Sequence, residues 1–315
     1  MSAFHTPVLA GEVVQFLRPA PGMTLVDATA GGGGHSALLA ARIGPAGTLV
    51  MVDRDPAALE AAGARLADCE ARIVRIQGNF RRLPELLRGA GIGEVDGILL
   101  DLGVSSHQLD TPERGFSFRF DAPLDARMNP GEGESAADIL QRADVQQLRR
   151  ILWEYGEERW AARIARRIVE QRVREPIRTT GQLAEIVKGA IPRKAWPRDI
   201  HPASRTFMAL RIAVNDELGA LQEALDGSAP LLRGGGRIAV ISYHSLEDRI
   251  VKRTFQRLSG RCQCPPGLPI CQCGASSILT VVTRRPVTPG EAEVRSNPRS
   301  RSARLRVAER RTSED

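Results

Sequence analysis

The chain has 315 residues, 42% of them hydrophobic, which is enough for one large domain or two ordinary ones. It contains no apolar run of about 18 residues, and its N-terminus lacks a basic region followed by an apolar segment. We therefore expect no membrane span, no secretory signal and a cytoplasmic location. The formal net charge of +7 favours an anionic partner such as nucleic acid.

Strand and helix signals alternate over the first third of the chain. Strands are predicted at 23–27, 48–53, 72–77 and 95–101, and helices at 36–43, 56–67 and 82–90. The apolar runs of these strands suit burial on both faces of a sheet. This alternation predicts an α/β fold with a parallel sheet and right-handed crossovers.

A glycine-rich turn, Gly31–Gly34, follows the first predicted strand and precedes a helix. Open α/β sheets bind nucleotides at such a turn, and Asp53, which ends the second strand, is placed to accept ribose hydroxyls. The turn lacks the Gly-Lys-Ser/Thr ending of a phosphate loop and has Ser36 where a dinucleotide fingerprint has its third glycine. We therefore favour S-adenosylmethionine, which needs no pyrophosphate site. A structural turn is the alternative, but four consecutive glycines cost backbone entropy that a plain turn does not require.

Alternation stops near residue 107, and helical segments follow. Helices are predicted at 135–142, 144–155, 157–174 and 179–190, and strand signals return at 236–242, 278–283 and 303–308. An insertion between the fourth and fifth strands of one sheet explains this order better than two sequential domains. We assign 1–106 and 206–315 to the sheet domain, and 107–205 to an inserted, mainly helical domain.

The loop 192–198 of this insertion combines cations with one aromatic side chain. Arg193, Lys194 and Arg198 surround Trp196 without helical periodicity, which suits phosphate contacts together with base stacking. These four residues are therefore candidates for RNA binding.

A single helix is predicted over 203–226, with an apolar stripe that includes Phe207 and Leu210. Arg211 and Asn215 lie one turn apart beside this stripe and need polar partners. Two interpretations stay open for them, hydrogen bonding back to the sheet and contact with an RNA substrate.

Four cysteines lie within twelve residues, at Cys262, Cys264, Cys271 and Cys273. Four thiols suit a structural zinc site, but the one-residue spacers are tighter than usual for zinc. Zinc and four reduced cysteines therefore remain alternatives.

Sequence motifs from one end of the chain to the other resemble one family, the bacterial small-subunit ribosomal RNA cytosine-N4 methyltransferases (RsmH, formerly MraW). The matching stretches are His5–Leu9, Asp27–Ser36, Asp53–Pro56, Asp96–Asp110, Glu113–Phe118, Tyr155–Arg159, His201–Phe207, Ile241–Arg249 and Asn297–Arg301. The chain departs mildly at Tyr243, where the family more often has phenylalanine, and at Ser204, where it more often has threonine.

The resemblance implies a class I methyltransferase fold whose inserted helical domain helps to recognise RNA. It implies S-adenosylmethionine as methyl donor and the exocyclic amine of a decoding-region cytosine in 16S rRNA as acceptor. The expected partner is 16S rRNA within the assembled small ribosomal subunit. The implied cofactor contacts are Gly33, Gly34, His35, Asp53, Phe80, Asp101 and Gln108. For Phe80, which follows the third strand, the alternative is a core phenylalanine.

The fourth strand ends at Asp101, which we expect to face both the cofactor and the incoming amine. Other amine methyltransferases carry a Pro-Pro-aromatic motif after this strand, but here the chain reads Leu-Gly-Val-Ser-Ser. The target base must then be held elsewhere, by the phenylalanines at 116, 118 and 120, of which at least two are expected to form a packed plug, or by the segment 243–244. His244 is either a proton acceptor or a cap of the next helix.

Two other functions stay open at this stage. A DNA or small-molecule methyltransferase has the same fold, but the basic insertion and the missing Pro-Pro-aromatic motif argue against it. A non-catalytic RNA-binding assembly factor is disfavoured because the acidic and glycine positions of a cofactor site are intact. We predict an RNA cytosine-N4 methyltransferase, with Asp101 as the main catalytic candidate.

Overall fold

The structure is a computed structural model that describes residues 7–198, 200–262, 264, 270, 272 and 276–312. The chain forms two compact units. The first consists of the residues up to Gly103 and from Leu218 onwards, and the second of Val104–Glu217. No helix in the described ranges has the length and apolar character needed to cross a membrane.

The first unit contains a seven-stranded sheet. Its strands are β1 (Thr24–Asp27), β2 (Thr48–Asp53), β3 (Arg72–Gln77), β4 (Val95–Asp101), β5 (Leu232–Ser242), β6 (Leu279–Val281) and β7 (Arg304–Arg310). The order across the sheet is β3-β2-β1-β4-β5-β7-β6. Strands β1 to β5 pair in parallel, as predicted, whereas β7 runs antiparallel to both β5 and β6. The α/β fold predicted from the sequence is confirmed.

Thirteen α-helices are found in the described part of the chain, and α1 precedes the first strand. The helices are α1 (Ala10–Leu17), α2 (Gly34–Ile43), α3 (Pro56–Arg65), α4 (Leu83–Gly89), α5 (Ser106–Asp110), α6 (Ala136–Arg142), α7 (Val145–Glu154), α8 (Ala161–Arg174), α9 (Thr180–Ala190), α10 (Ser204–Asn215), α11 (Glu217–Ser228), α12 (Ser245–Leu258) and α13 (Glu291–Ser296).

The central strands β1, β2 and β4 are buried on both faces, which is why their residues are mostly apolar. Val50 and Val52 of β2 pack in a cluster on one face. Leu49 and Met51 of the same strand pack in a separate cluster on the other face. Because successive side chains of a strand point to opposite faces, one apolar run supplies both cores.

The second unit is helical and has a core of its own. Capping boxes begin four of its helices, with side chains at Ser105, Ser135, Asp144 and Thr179 accepting the N–H three residues later. Phe207 and Leu210 of α10 pack in this core. The second unit therefore extends to Glu217, beyond the boundary that we drew at 205 from the sequence.

The predicted helix 203–226 is two helices, α10 and α11. Asp216 separates them in the left-handed conformation with φ +47°, and its N–H bonds to the carbonyl of Ile212. Aspartate tolerates this conformation better than most residues. The apolar stripe continues across the break but serves two cores, since Phe207 packs in the second unit and Leu221 packs against the sheet of the first.

Candidate active site

The glycine-rich turn joins β1 to α2 at the carboxyl edge of the sheet. Gly31 and Gly33 have φ values of +49° and +75°, a conformation that glycine adopts without steric cost. A side chain at Gly33 would bring its Cβ to 3.0 Å from the Cα of Ala62 in α3. Glycine at 33 therefore allows α2 to begin at Gly34 close against α3.

Asp53 lies at the carboxyl end of β2 and faces this turn. Its Oδ2 accepts the N–H of Gly31 at 2.9 Å, and its Oδ1 accepts the N–H of Asp55 at 2.9 Å. Burial raises the pKa of the Asp53 carboxyl to about 6, although both N–H donors oppose that shift. A carboxylate has about four acceptor positions, so Asp53 keeps capacity for the two hydroxyls of a ribose.

Asp101 ends β4 and is the centre of a hydrogen-bonded group within the first unit. The hydroxyl of Tyr243, just after β5, donates to Asp101 Oδ1 at 2.8 Å. His35 Nδ1 of α2 lies 3.4 Å from Asp101 Oδ2. The Asp101 N–H donates to Thr29 Oγ1 at 2.6 Å. The Asp101 side chain keeps 23% of its surface exposed, so a ligand can reach it.

The charge of His35 follows from its partners. Burial disfavours the charged ring, but the hydrogen bond to Asp101 and the negative charges of Asp101 and Asp27 outweigh burial and raise the pKa of His35. Behind it, Asp27 accepts the Ser36 hydroxyl at 2.6 Å, and burial raises the pKa of the Asp27 carboxyl. Ser36, which stands where a dinucleotide fingerprint has its third glycine, thus gives the buried Asp27 carboxyl a hydrogen-bond donor.

The other implied cofactor residues lie as follows. Phe80 opens a short 3₁₀ helix directly after β3 and packs, half-buried, against the apolar cluster on one face of the sheet. Gln108 is buried in the second unit, where its side chain accepts the N–H of Ser105 at 3.0 Å and closes the capping box of α5. The cofactor roles of both residues stay predictions.

His244 caps α12, which is one of the two roles that the sequence left open. Its Nδ1 accepts the N–H of Glu247 at 3.4 Å, and its Nε2 lies 3.2 Å from Glu247 Oε1. Glu247 Oε2 in turn accepts the N–H of Tyr243 at 2.8 Å. These bonds fix the start of α12 and hold the backbone of Tyr243, whose hydroxyl reaches Asp101.

The three phenylalanines of the segment after α5 have different environments. Phe116 is buried in the core of the second unit. Phe118 packs against His201 and Phe207, with ring centroids 4.5 and 4.9 Å away. Phe120 is 63% exposed. Two of the three are therefore packed, as expected, and Phe120 is the one whose ring is open to solvent.

The basic loop lies on the surface of the second unit. Arg193, Lys194 and Arg198 are exposed, and the Arg193 guanidinium lies 5.9 Å from the ring centre of Trp196. The Trp196 indole N–H donates to the carbonyl of Ile191 at 3.0 Å, which holds the ring against the loop. Binding of RNA by this loop stays a prediction.

Arg211 and Asn215 make hydrogen bonds inside the second unit. Arg211 forms a two-pronged ion pair with Glu217, with N–O distances of 2.8 and 2.9 Å. Asn215, only 4% exposed, accepts the N–H of Met128 at 2.8 Å and donates to the carbonyl of Ala126 at 2.8 Å. Both therefore bond to the second unit's own loop and helix rather than to the sheet, and an RNA role for either stays a prediction.

The cysteine cluster is described only in part. The N–H of Cys264 lies 3.4 Å from the sulfur of Cys262. Cys271 and Cys273 lie outside the described residues. The four-cysteine zinc site therefore stays a prediction.

The model of the MraW methylase family matches residues 2–311. The chain belongs to the MraW methylase family. The ribosomal RNA small subunit methyltransferase H of Geobacter sulfurreducens is 54% identical over 310 residues, 98% of this chain and 100% of that protein. The protein of the same name from Trichlorobacter lovleyi is 54% identical over 97% of this chain and 98% of its own length.

The resemblance inferred from the motifs is thus confirmed, and the chain is an S-adenosylmethionine-dependent methyltransferase. Its residues suit that ligand, because the turn at Gly31–Gly34 brings backbone close to the sheet edge and Asp53 has acceptor capacity for a ribose. The residue patterns led to the glycine turn, Asp53 and Asp101, and the family resemblance added His35. Neither predicted the bond from Tyr243 to Asp101, for which the only signal was a tyrosine where relatives of this family more often have phenylalanine.

Proposed function

We propose that this methyltransferase transfers a methyl group from S-adenosylmethionine to the exocyclic N4 of a decoding-region cytosine in 16S ribosomal RNA. Relatives with 54% identity over nearly the whole chain are named ribosomal RNA small subunit methyltransferases. The observation that carries the chemistry is the Asp101 carboxylate, partly exposed at the end of β4 and held by Tyr243.

On this proposal, two carboxylates and the glycine turn hold the methyl donor. Asp53 accepts the ribose hydroxyls, and the turn at Gly31–Gly34 leaves room for the ligand to lie against the backbone. Bound S-adenosylmethionine supplies an electrophilic methyl group on a positively charged sulfur. Asp101 places negative charge at the same edge of the sheet.

The acceptor amine needs help because its lone pair is delocalised into the cytosine ring. Asp101 accepts a hydrogen bond from an N–H of this amine, which draws the nitrogen out of conjugation and aligns it for attack. The same carboxylate takes the proton that the nitrogen releases once it carries the methyl group. Alignment of this kind contributes as much as ~7–11 kcal/mol in favourable cases. We assign the acceptor to Asp101 rather than His244, because His244 Nδ1 accepts the Glu247 N–H and caps α12, whereas the Asp101 carboxylate is reachable from solvent.

The second unit supplies the RNA contacts on this proposal. Arg193, Lys194 and Arg198 are exposed cations that suit phosphate groups, and Trp196 offers a ring for stacking. The target cytosine must leave any helical stack before its amine can be reached. Ribosomal RNA within the assembled small subunit is the proposed substrate, and the cytoplasm is the proposed location.

One experiment tests the proposal. The protein is incubated with radiolabelled S-adenosylmethionine and small subunits from a methylation-deficient strain, and the labelled nucleoside is mapped. We expect label on N4 of one cytosine of 16S rRNA. Naked 16S rRNA and DNA of the same sequence, tested in parallel, separate the substrate classes. Label on another atom, or on DNA alone, would contradict the proposal.

Variants test the catalytic assignment in the same assay. Asp101→Ala is expected to lower kcat on the order of a hundredfold, with RNA affinity little changed, because it removes the acceptor for the amine N–H. His244→Ala is the comparison. If His244→Ala costs as much kcat and shifts the pH profile, His244 is the proton acceptor and our assignment to Asp101 is wrong.

A further inference from the structure

The Asp101 carboxylate is held from two sides by groups that are distant in sequence. The Tyr243 hydroxyl donates to Oδ1 at 2.8 Å, and His35 Nδ1 lies 3.4 Å from Oδ2. The backbone N–H of Asp101 is fixed separately by Thr29 Oγ1 at 2.6 Å. Each carboxylate oxygen therefore has a donor, while the side chain remains reachable from solvent.

His35 can donate to Asp101 only as a cation. Its Nε2 lies 2.9 Å from the carbonyl oxygen of Val8, and since a carbonyl can only accept, Nε2 carries a hydrogen. Nδ1 then attracts the carboxylate only if it carries a second hydrogen. The raised pKa of His35, caused by Asp101 and Asp27 against the effect of burial, agrees with this geometry.

Tyr243 is the neutral donor of the pair. Burial raises the pKa of its hydroxyl, and the negative charges of Asp101, Glu247 and Glu293 raise it further. The hydroxyl therefore keeps its hydrogen at any pH at which the protein works. Glu247 also binds the Tyr243 N–H at 2.8 Å, so both ends of this residue are fixed.

We propose that Tyr243 is a positioning residue for methyl transfer, whose hydroxyl works with the His35 imidazolium to aim the Asp101 carboxylate at the acceptor amine. This inference rests on the proposed function. The phenolic oxygen does not take part in the transfer itself. It prevents the carboxylate from rotating about its side-chain bonds when the amine approaches. It also stabilises the negative charge of Asp101 by a hydrogen bond, so that His35 is not the only side chain that does so.

The pKa of His35, measured without any ligand, tests the coupling between Tyr243, Asp101 and His35. In Tyr243→Phe, Asp101 loses one donor and depends more on His35, so the pKa of His35 is expected to rise. Histidine ring protons are titrated by NMR in the whole protein, with the His35 signal assigned from His35→Gln. Tyr155→Phe, which removes a hydroxyl in the second unit, is the matched control and should leave the titration unchanged.

Separate measurement of kcat and KM completes the test. Tyr243→Phe is expected to lower kcat about tenfold, as for a lost hydrogen bond to a charged group, with KM for S-adenosylmethionine changed less than about twofold. Unchanged kcat together with an unchanged His35 titration would overturn the positioning role alone. A wild-type protein that methylates no ribosomal RNA would overturn the proposed function and the positioning role with it.

Discussion

Burying the Asp53 carboxyl in the proposed ligand site lowers the stability of the folded protein at neutral pH. The size of this loss follows from the raised pKa of Asp53. Burial raises the pKa of the carboxyl from 3.8 to about 6, so the folded protein binds this proton more tightly than the unfolded chain does. This tighter proton binding stabilises the folded state fully below pH 3.8, and the stabilisation is lost as the pH rises through about 6. At neutral pH the ionised group costs roughly 3 kcal/mol, at about 1.4 kcal/mol per tenfold change in proton affinity.

The variant Asp53→Asn removes this charge while retaining one acceptor oxygen. That oxygen can still bind the N–H of either Gly31 or Asp55, but not both, and the lost hydrogen bond costs about 1–2 kcal/mol. The net expectation is a gain of about 1–2 kcal/mol in unfolding free energy near pH 7.5. Near pH 5 the cost of ionised Asp53 is only about half as large, so the gain should nearly vanish.

Guanidinium denaturation followed by circular dichroism, near pH 7.5 and near pH 5, measures both values. Asp68→Asn, at an exposed position of the same unit, is the control for loss of one negative charge. Calorimetry of the same Asp53 variant should show S-adenosylmethionine affinity reduced about 10- to 100-fold, because a charge-assisted hydrogen bond is lost. The reasoning fails if Asp53→Asn is less stable than wild type near pH 7.5, or if its effect does not change with pH.

Three further predictions concern the turn, the loop and the second unit. Gly33→Ala should destabilise the protein by about 1–3 kcal/mol, because φ is +75° and the new Cβ would meet α3, and an unchanged melting temperature would count against the close packing there. Neutralising Arg193, Lys194 and Arg198 together should reduce RNA affinity and flatten its salt dependence, with S-adenosylmethionine affinity unchanged; an unaltered salt slope would remove the loop from the RNA site. Asn215→Ala should cost about 2–4 kcal/mol of stability, since it leaves backbone groups of the 126–128 loop without partners, and a fully stable variant would refute that structural role.

Local signals in the sequence determined much of the nucleotide-binding half. The first four strands, the turn at Gly31–Gly34 and Asp53 were predicted at or within one residue of their observed places. These features depend on short-range patterns, since an apolar run of strand length and a run of glycines each restrict the backbone where they occur. Capping boxes fixed the starts of four of the second unit's helices for the same reason.

Other features depended on which surfaces pack together, and only the tertiary structure decided them. The helical periodicity of 203–226 continues through Asp216, yet the chain breaks there because the residues on either side belong to different cores. Arg211 pairs with Glu217 at the start of α11, and Asn215 bonds to the loop at 126–128, which no periodicity could reveal. The bond from Tyr243 to Asp101 joins residues 142 positions apart, and it exists because the parallel pairing of β4 and β5 brings their carboxyl ends to the same edge of the sheet.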